Sequence, residues 1–244
     1  MVDPHSELRE YLRRLIDRFL HIRALRDQLI IISAWETPKR VEALNHGAYF
    51  FRLVRYTFAR MILVELCKIL LESEKRSLPD YLNKASDNCV PLQPTRFKTI
   101  YDHPDGGRYE QISGNDFQAQ VMHHQGILSG YDDLLSNIKG RRDQHIAHTD
   151  SKYFKDSSKL FIDYPLKDVD IDGLLEAVAQ ILKAHYSYLF QGDLEMRISS
   201  ARQLDVVLTN VRAFNRVWKD KRITRDSAIR VVEYKLDDFE PPVE

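Results

Sequence analysis

Apolar side chains recur every three or four positions along most of the chain, and that spacing predicts long amphipathic helices. Residues 6–35 lack Gly and Pro and carry Leu8, Leu12, Leu15, Phe19, Ile22 and Leu29 on one face, so a single helix is expected to end before Pro38. A second helix is expected over residues 41–72, with Leu44, Ala48, Phe51, Phe58, Ile62, Leu66 and Ile69 as its stripe. Residues 75–114 read as a loop-rich insertion: LPDYLN suggests one helical turn, while Pro91, Pro94, Pro104 and the Asp105-Gly106-Gly107 run break anything longer. A third long helix, capped by Ser113 or Asn115, is expected to run through Phe117, Ile127, Tyr131, Leu134, Leu135 and Ile138 towards His148. Gly126, Gly130 and Gly140 weaken this helix or let a neighbour approach closely.

Beyond it, SKLFIDY at 158–164 alternates in character and predicts a short strand or extended loop. Asp170 is placed to cap an amphipathic helix with Ile171, Leu174, Leu175, Val178, Ile181, Leu182, His185 and Leu189 on one face. A last helix from about 194 to 218 precedes the basic residues Lys219, Lys221, Arg222 and Arg225, and AIRVVEYKL beyond them could pair as a strand. These elements predict a mainly α fold of long antiparallel helices with at most a small β element. One helical domain is expected over residues 1–192, interrupted by the insertion, with a C-terminal helix and tail (193–244) packed on it.

Charge narrows the choice of partner. Lys plus Arg and Asp plus Glu are both 36, so the formal net charge is zero and any nucleic-acid contact must be local. Arg9, Arg13, Arg14, Arg18, Arg23 and Arg26 line the outer side of the first helix, but Glu10, Asp17 and Asp27 dilute them, which reads as a solvated face. Two cysteines, Cys67 in a helical pattern and Cys89 in a loop, suit neither a disulfide framework nor a zinc site. The N-terminal MVDPHSELREYLRR has no apolar signal core and no apolar run is long enough to cross a membrane, so a cytoplasmic protein without a membrane segment is expected. Glu65 interrupts the second helix's apolar stripe. A carboxylate there needs a cationic partner, an arginine by preference, unless the helix turns it out to solvent.

The third helix ends in KGRRDQHIAHTD, residues 139–150, where polar side chains continue the apolar stripe. At 100° per residue His145 falls on the stripe, flanked by Arg141 and His148 on one side and Arg142 on the other. Two arginines and two histidines on an inward side are unusual for a solvated face. They could also serve the last carbonyls of the helix, where cations are favoured. A metal-binding alternative would use His145, His148 and Asp150, but it lacks the glutamate base of the familiar zinc-protease helix.

Arg142, Asp143 and His148, with five residues between Arg142 and His148, match the motif of HEPN domains, and RDQHIAHTD resembles the abortive-infection U-type members in particular. The similarity of helix order extends more loosely over residues 6–190. The resemblance implies a HEPN-like helical bundle and a metal-independent endoribonuclease, without cofactor or metal, in phage defence or a toxin-like system. In that reaction a base activates the ribose 2′-hydroxyl to attack the adjacent phosphorus. His148 suits the base, since imidazole exchanges a proton near neutrality. Arg142 suits the phosphate, since guanidinium stays charged and presents a planar fork, and Arg141 is an auxiliary contact. Asp143 and Asp150 would orient the imidazole or hold an arginine, and His145 is a core histidine or a second base.

Arg142 and His148 lie about 120° apart around an ideal helix, so a cleft shared by two copies, as HEPN enzymes form, would present them better. RNA is then the substrate and a homodimer the expected state, with an antitoxin or regulatory protein as a further partner. The tyrosine that serves as a modification target in some HEPN toxins is absent here, its position being Asp150. A non-catalytic HEPN-like module, dimerising and binding RNA or a partner, is the alternative.

Overall fold

A computed structural model describes residues 5–33, 38–71, 74–87, 114–147, 153, 156, 158–190, 194–196 and 200–219. Among them are nine α-helices, one π-helical segment and no strand: α1 (Ser6–Ser33), α2 (Pro38–His46), α3 (Ala48–Leu70), α4 (Leu78–Asp87), α5 (Gly114–Ser129), α6 (Asp132–Arg141), the π segment Arg142–Ala147, α7 (Ser158–Asp163), α8 (Asp168–Phe190) and α9 (Ser200–Lys219). No described helix is long and apolar enough to cross a membrane.

Helix α1 runs almost as its periodicity predicts. The second and third expected helices are each broken, and glycine marks both breaks. Gly47 turns its N–H back to the carbonyl of Leu44, ending α2, and its own carbonyl accepts from Phe51 to start α3. The interruption shifts the helical phase, which leaves Ala48 exposed while Phe51 stays buried. At Gly130 and Tyr131 the amide bonds tighten to the carbonyls of Ile127 and Leu128, so α5 stops two residues before α6 begins. Two further expectations need correction. The LPDYLN turn is a ten-residue helix whose Leu78, Tyr81, Leu82 and Ala85 are buried. SKLFID is the helix α7, not a strand: Leu160 is buried while its neighbours face outward, and six alternating residues cannot distinguish the two. The AIRVVEYKL expectation lies outside the described residues.

The chain forms two compact units, each discontinuous in sequence. The first joins residues 1–26 to 58–198. Its core takes Leu12, Leu15, Phe19 and Ile22 from α1, Leu66, Ile69 and Leu70 from α3, Phe117 and Val121 from α5, Ile138 from α6, and Leu174, Ile181 and Leu182 from α8. Each such side chain contributes about 1.5–3 kcal/mol by leaving water. The second unit joins residues 27–57 to 199–244, and within it α2 packs on α9, where Arg212 Nε donates to Glu42 Oε2 at 2.7 Å.

The arginines of α1 are less solvated than their dilution by acids suggested. Arg26 is buried, donating through Nε and Nη2 to both oxygens of Asp172 and through Nη1 to Asp168. This fork ties α1 to the first turn of α8. Arg9 donates from Nε to the carbonyl of Leu189 at 2.8 Å, and Arg13 lies over the Phe190 ring. Most of the stripe is therefore spent on holding α1 to its neighbours within the first unit.

Candidate functional site

Helix α6 delivers the motif. Asp132 and Asp133 occupy its first turn, where the helix dipole favours negative charge, and Lys139 and Arg141 its last, where cations are favoured. Leu135 and Ile138 anchor its inner face, and Tyr131 at its start donates from its hydroxyl to the carbonyl of Gly173 in α8. Near its end the backbone of Gly140 lies against the Tyr164 ring, so closely that any Cβ would overlap that ring. Glycine here is a steric requirement.

Immediately afterwards the helix widens into the π segment Arg142–Ala147. Such a segment inserts residues into the turn and re-aims the side chains that follow, and it is found often at functional sites. The ideal-helix angles assigned to His145 and His148 from the sequence therefore cease to apply from Arg142 onward. The side chain of His145, and His148 and Asp150 entirely, lie outside the described residues.

Arg142 is held from two directions. Its Nε donates to Asp143 Oδ1 at 2.7 Å and its Nη1 to Glu74 Oε1 at 2.9 Å, and its side chain is only 19% exposed. Lys139 stands 3.3 Å from the other oxygen of Asp143. The bond to Asp143 raises the Arg142 pKa above its ordinary value, against the opposing effect of burial. Burial works against ionised Asp143, but the bonds from Arg142 and Lys139 outweigh it and hold the carboxyl below the usual range. These four side chains thus form an ion-pair cluster, Arg142 and Lys139 on Asp143 with Glu74 as a second carboxylate on Arg142. Close by, the Cys67 thiol is pushed up to about 11 by burial, so it is a neutral core group at physiological pH.

Glu74 was not a sequence candidate. It sits in the connector that leaves α3, its N–H bonded back to the Leu71 carbonyl, two positions before Arg76 at φ 68°, the left-handed region that a non-glycine residue occupies only at a cost of roughly 1–3 kcal/mol. Nothing local in the sequence marks it, because its partner is 68 positions away.

Arg141 points elsewhere. Its Nε donates to the carbonyl of Tyr164 at 2.7 Å, and its guanidinium carbon lies 4.7 Å from the centre of the Phe161 ring. Burial pushes its pKa below the ordinary arginine value. The structure thus places Arg142 and Asp143 together, and Arg141 with α7 beside them. Glu65 belongs to a different cluster: Lys68 lies 2.7 Å from one oxygen and Arg18 3.8 Å from the other. The carboxylate is half-buried and has an arginine within reach, but its nearer cation is a lysine one turn away.

A polar chain in the core of the first unit was only half visible in the sequence. His185 lies on the buried face of α8, as its periodicity requires, with no exposed surface. Its Nδ1 is 3.0 Å from the Tyr81 hydroxyl and its Nε2 3.0 Å from His124 Nδ1, so two imidazoles and a phenol satisfy one another. Burial lowers the pKa of both histidines.

The family model described as AbiU2, of the HEPN class, matches residues 5–222. The chain therefore belongs to the abortive-infection U-type HEPN family, and its helical fold is that of a HEPN-like bundle. No curated protein and no solved structure matches it.

Proposed function

We propose that the protein is a metal-independent endoribonuclease of HEPN type, acting in phage defence or a toxin-like system and cleaving RNA by attack of a ribose 2′-hydroxyl on the neighbouring phosphorus. The observation that carries this reading is the fixed guanidinium of Arg142 at the start of a π segment, held by Asp143 and Glu74 and six positions before His148. Arg142 binds the non-bridging oxygens and stabilises the charge that grows on them. His148 takes the 2′-hydroxyl proton and returns one to the departing 5′-oxygen, leaving a cyclic phosphate. Asp143 positions Arg142; Asp150 orients the imidazole of His148, and His145 assists either proton transfer or packing. Arg141 supplies a further cation to the strand. Two copies line a shared cleft, the substrate is cytoplasmic RNA, and a partner protein restrains the activity.

One observation favours a second reading. Two carboxylates already counter the charge of Arg142, as in a structural ion-pair network, and a module that binds RNA or a partner without cutting would be built the same way.

The test compares wild type with His148→Ala and Arg142→Ala on labelled single-stranded RNA and tRNA in EDTA, with circular dichroism to show that all three fold. Cutting by wild type alone, with cyclic-phosphate ends, is the expected result. No cutting by a folded dimer would transfer the assignment to the binding module.

A further inference from the structure

Phe161 is a large aromatic side chain on a short, well-anchored helix, and it is 60% exposed. Leu160 beside it is buried and fixes α7 from below. The carbonyl of Tyr164, just past the helix, accepts from Arg141, and Asp163 accepts from the hydroxyl of buried Tyr153 at 2.9 Å. The ring is therefore presented by an element tied down on both sides of it. An aromatic ring on a fixed helix has little freedom to lose when something stacks on it.

Arg141 completes the arrangement. Only its Nε has a hydrogen-bond partner among the described residues, and the four hydrogens on its two terminal nitrogens have none among them. No carboxylate among the described residues neutralises it, in contrast to Arg142 one position later. A partly buried cation with no counter-anion among the described residues, packed against an exposed ring, offers a place for an anion and a flat π surface side by side. RNA carries both a phosphate and a base at each nucleotide.

We propose that Phe161 and Arg141 form a stacking site for one nucleobase of single-stranded RNA, the ring taking the base face and the guanidinium the phosphate, so that the strand is held beside Arg142. This rests on the ribonuclease reading above and deepens it by naming the form of the substrate. Bases in a duplex are stacked on one another and have no face to offer, whereas single strands, loops and bulges do. The site therefore selects unpaired RNA.

The test measures binding of a fluorescein-labelled single-stranded RNA, fully 2′-O-methylated so that it cannot be cut by 2′-hydroxyl attack, and of the duplex made from it. Phe161→Ala and Phe161→Leu should bind the strand about five- to hundredfold more weakly than wild type, with the duplex unaffected. Phe161→Trp should retain the affinity, and its indole fluorescence should be quenched on binding. Wild-type affinity in Phe161→Leu overturns the proposal, because apolar contact without a ring would then suffice. So does failure of wild type to bind the methylated strand, or a changed oligomeric state in Phe161→Ala, which would make the ring a protein interface. Cleavage of unmodified RNA, assayed in parallel, separates the two claims: cutting with unchanged binding in Phe161→Ala removes the stacking site alone, and ring-dependent binding without cutting removes the ribonuclease alone.

Discussion

Arg142 donates from Nη1 to Glu74 Oε1 at 2.9 Å, joining the connector after α3 to the start of the π segment across 68 positions of chain. The contact fixes the guanidinium, but it also occupies one branch of the fork that a phosphate would use. A bound RNA phosphate must therefore share or displace the Glu74 carboxylate. Glu74→Gln keeps an acceptor and removes the charge, and it should tighten binding of the methylated single strand by a few fold. Because the pair is partly solvated, stability should fall by no more than about 1 kcal/mol. Fluorescence anisotropy beside urea unfolding checks both numbers. Weaker binding in Glu74→Gln would mean that the carboxylate's main task is to aim Arg142.

Gly140 is a position at which the smallest side chain is too large. A methyl group there would enter the Tyr164 ring, so the backbone or the ring must move. Gly140→Ala should cost about 1–3 kcal/mol, as overpacking does. It should also reduce RNA binding, because Arg141 is adjacent and bonded to the Tyr164 carbonyl. The double variant Gly140→Ala with Tyr164→Leu should recover most of the stability, since the obstructing ring is gone while the carbonyl remains. Thermal unfolding of the three variants decides it; no recovery in the double variant would show that strain lies elsewhere.

The contrast between what was and was not legible in the sequence follows from the range of the interactions. The buried face of α8 could be read from the sequence: Ile171, Leu174, Leu175, Val178, Ile181, Leu182, His185 and Leu189 are all buried, because an uninterrupted 3.6-residue repeat encodes one face, whereas its start was misplaced, since the helix begins at Asp168 and the expected cap Asp170 lies within its first turn. The breaks at Gly47 and Gly130 were harder, since a glycine within an apolar period reads equally as tolerated. SKLFID failed because six residues hold too little periodicity to tell strand from helix. At the site, Arg141, Arg142 and Asp143 were marked by local pattern, but Glu74, and Asp168 and Asp172 around Arg26, act across 68 to 146 positions and leave no local trace. The π segment was equally hidden, because the angular argument assumed an ideal α-helix.

Arg26 gives an asymmetric prediction. It is buried, while Asp172 and Asp168 keep much of their contact with water. Arg26→Met leaves two carboxylates that can rehydrate and an aliphatic chain that fills part of the space, so the loss should be about 1–2 kcal/mol. Asp172→Ala leaves a buried cation with only the single bond to Asp168, and the loss should be larger, about 3 kcal/mol. Urea unfolding of each variant checks the order. Equal losses would mean that the guanidinium gains water when its partner is removed.

The buried pair His124 and His185 should make the fold sensitive to mild acid. Burial lowers the pKa of His124 to about 4 and of His185 to about 3, and neither imidazole contacts a carboxylate among the described residues. The groups packed around them are Tyr81, Phe117 and Tyr188, with His123 next to His124; Asp80 is taken by the Tyr11 hydroxyl. Both histidines are thus neutral in the fold, whereas in the unfolded chain they take up protons below about 6.5. The unfolded state binds more protons throughout that window, so stability is full above about pH 6.5 and is lost as pH falls towards the folded values. Between pH 7 and pH 5 the two groups together should remove about 2–4 kcal/mol. Most carboxylates are still ionised in this range, so the loss belongs to the histidines. Urea unfolding across the range tests this, with His124→Gln expected to show a clearly shallower slope than wild type because one titrating group is gone and its contact can be replaced by an amide. A wild-type stability that stays flat from pH 7 to pH 5 would mean that a proton enters this core without cost, through a rearrangement that brings water or a carboxylate to the imidazoles.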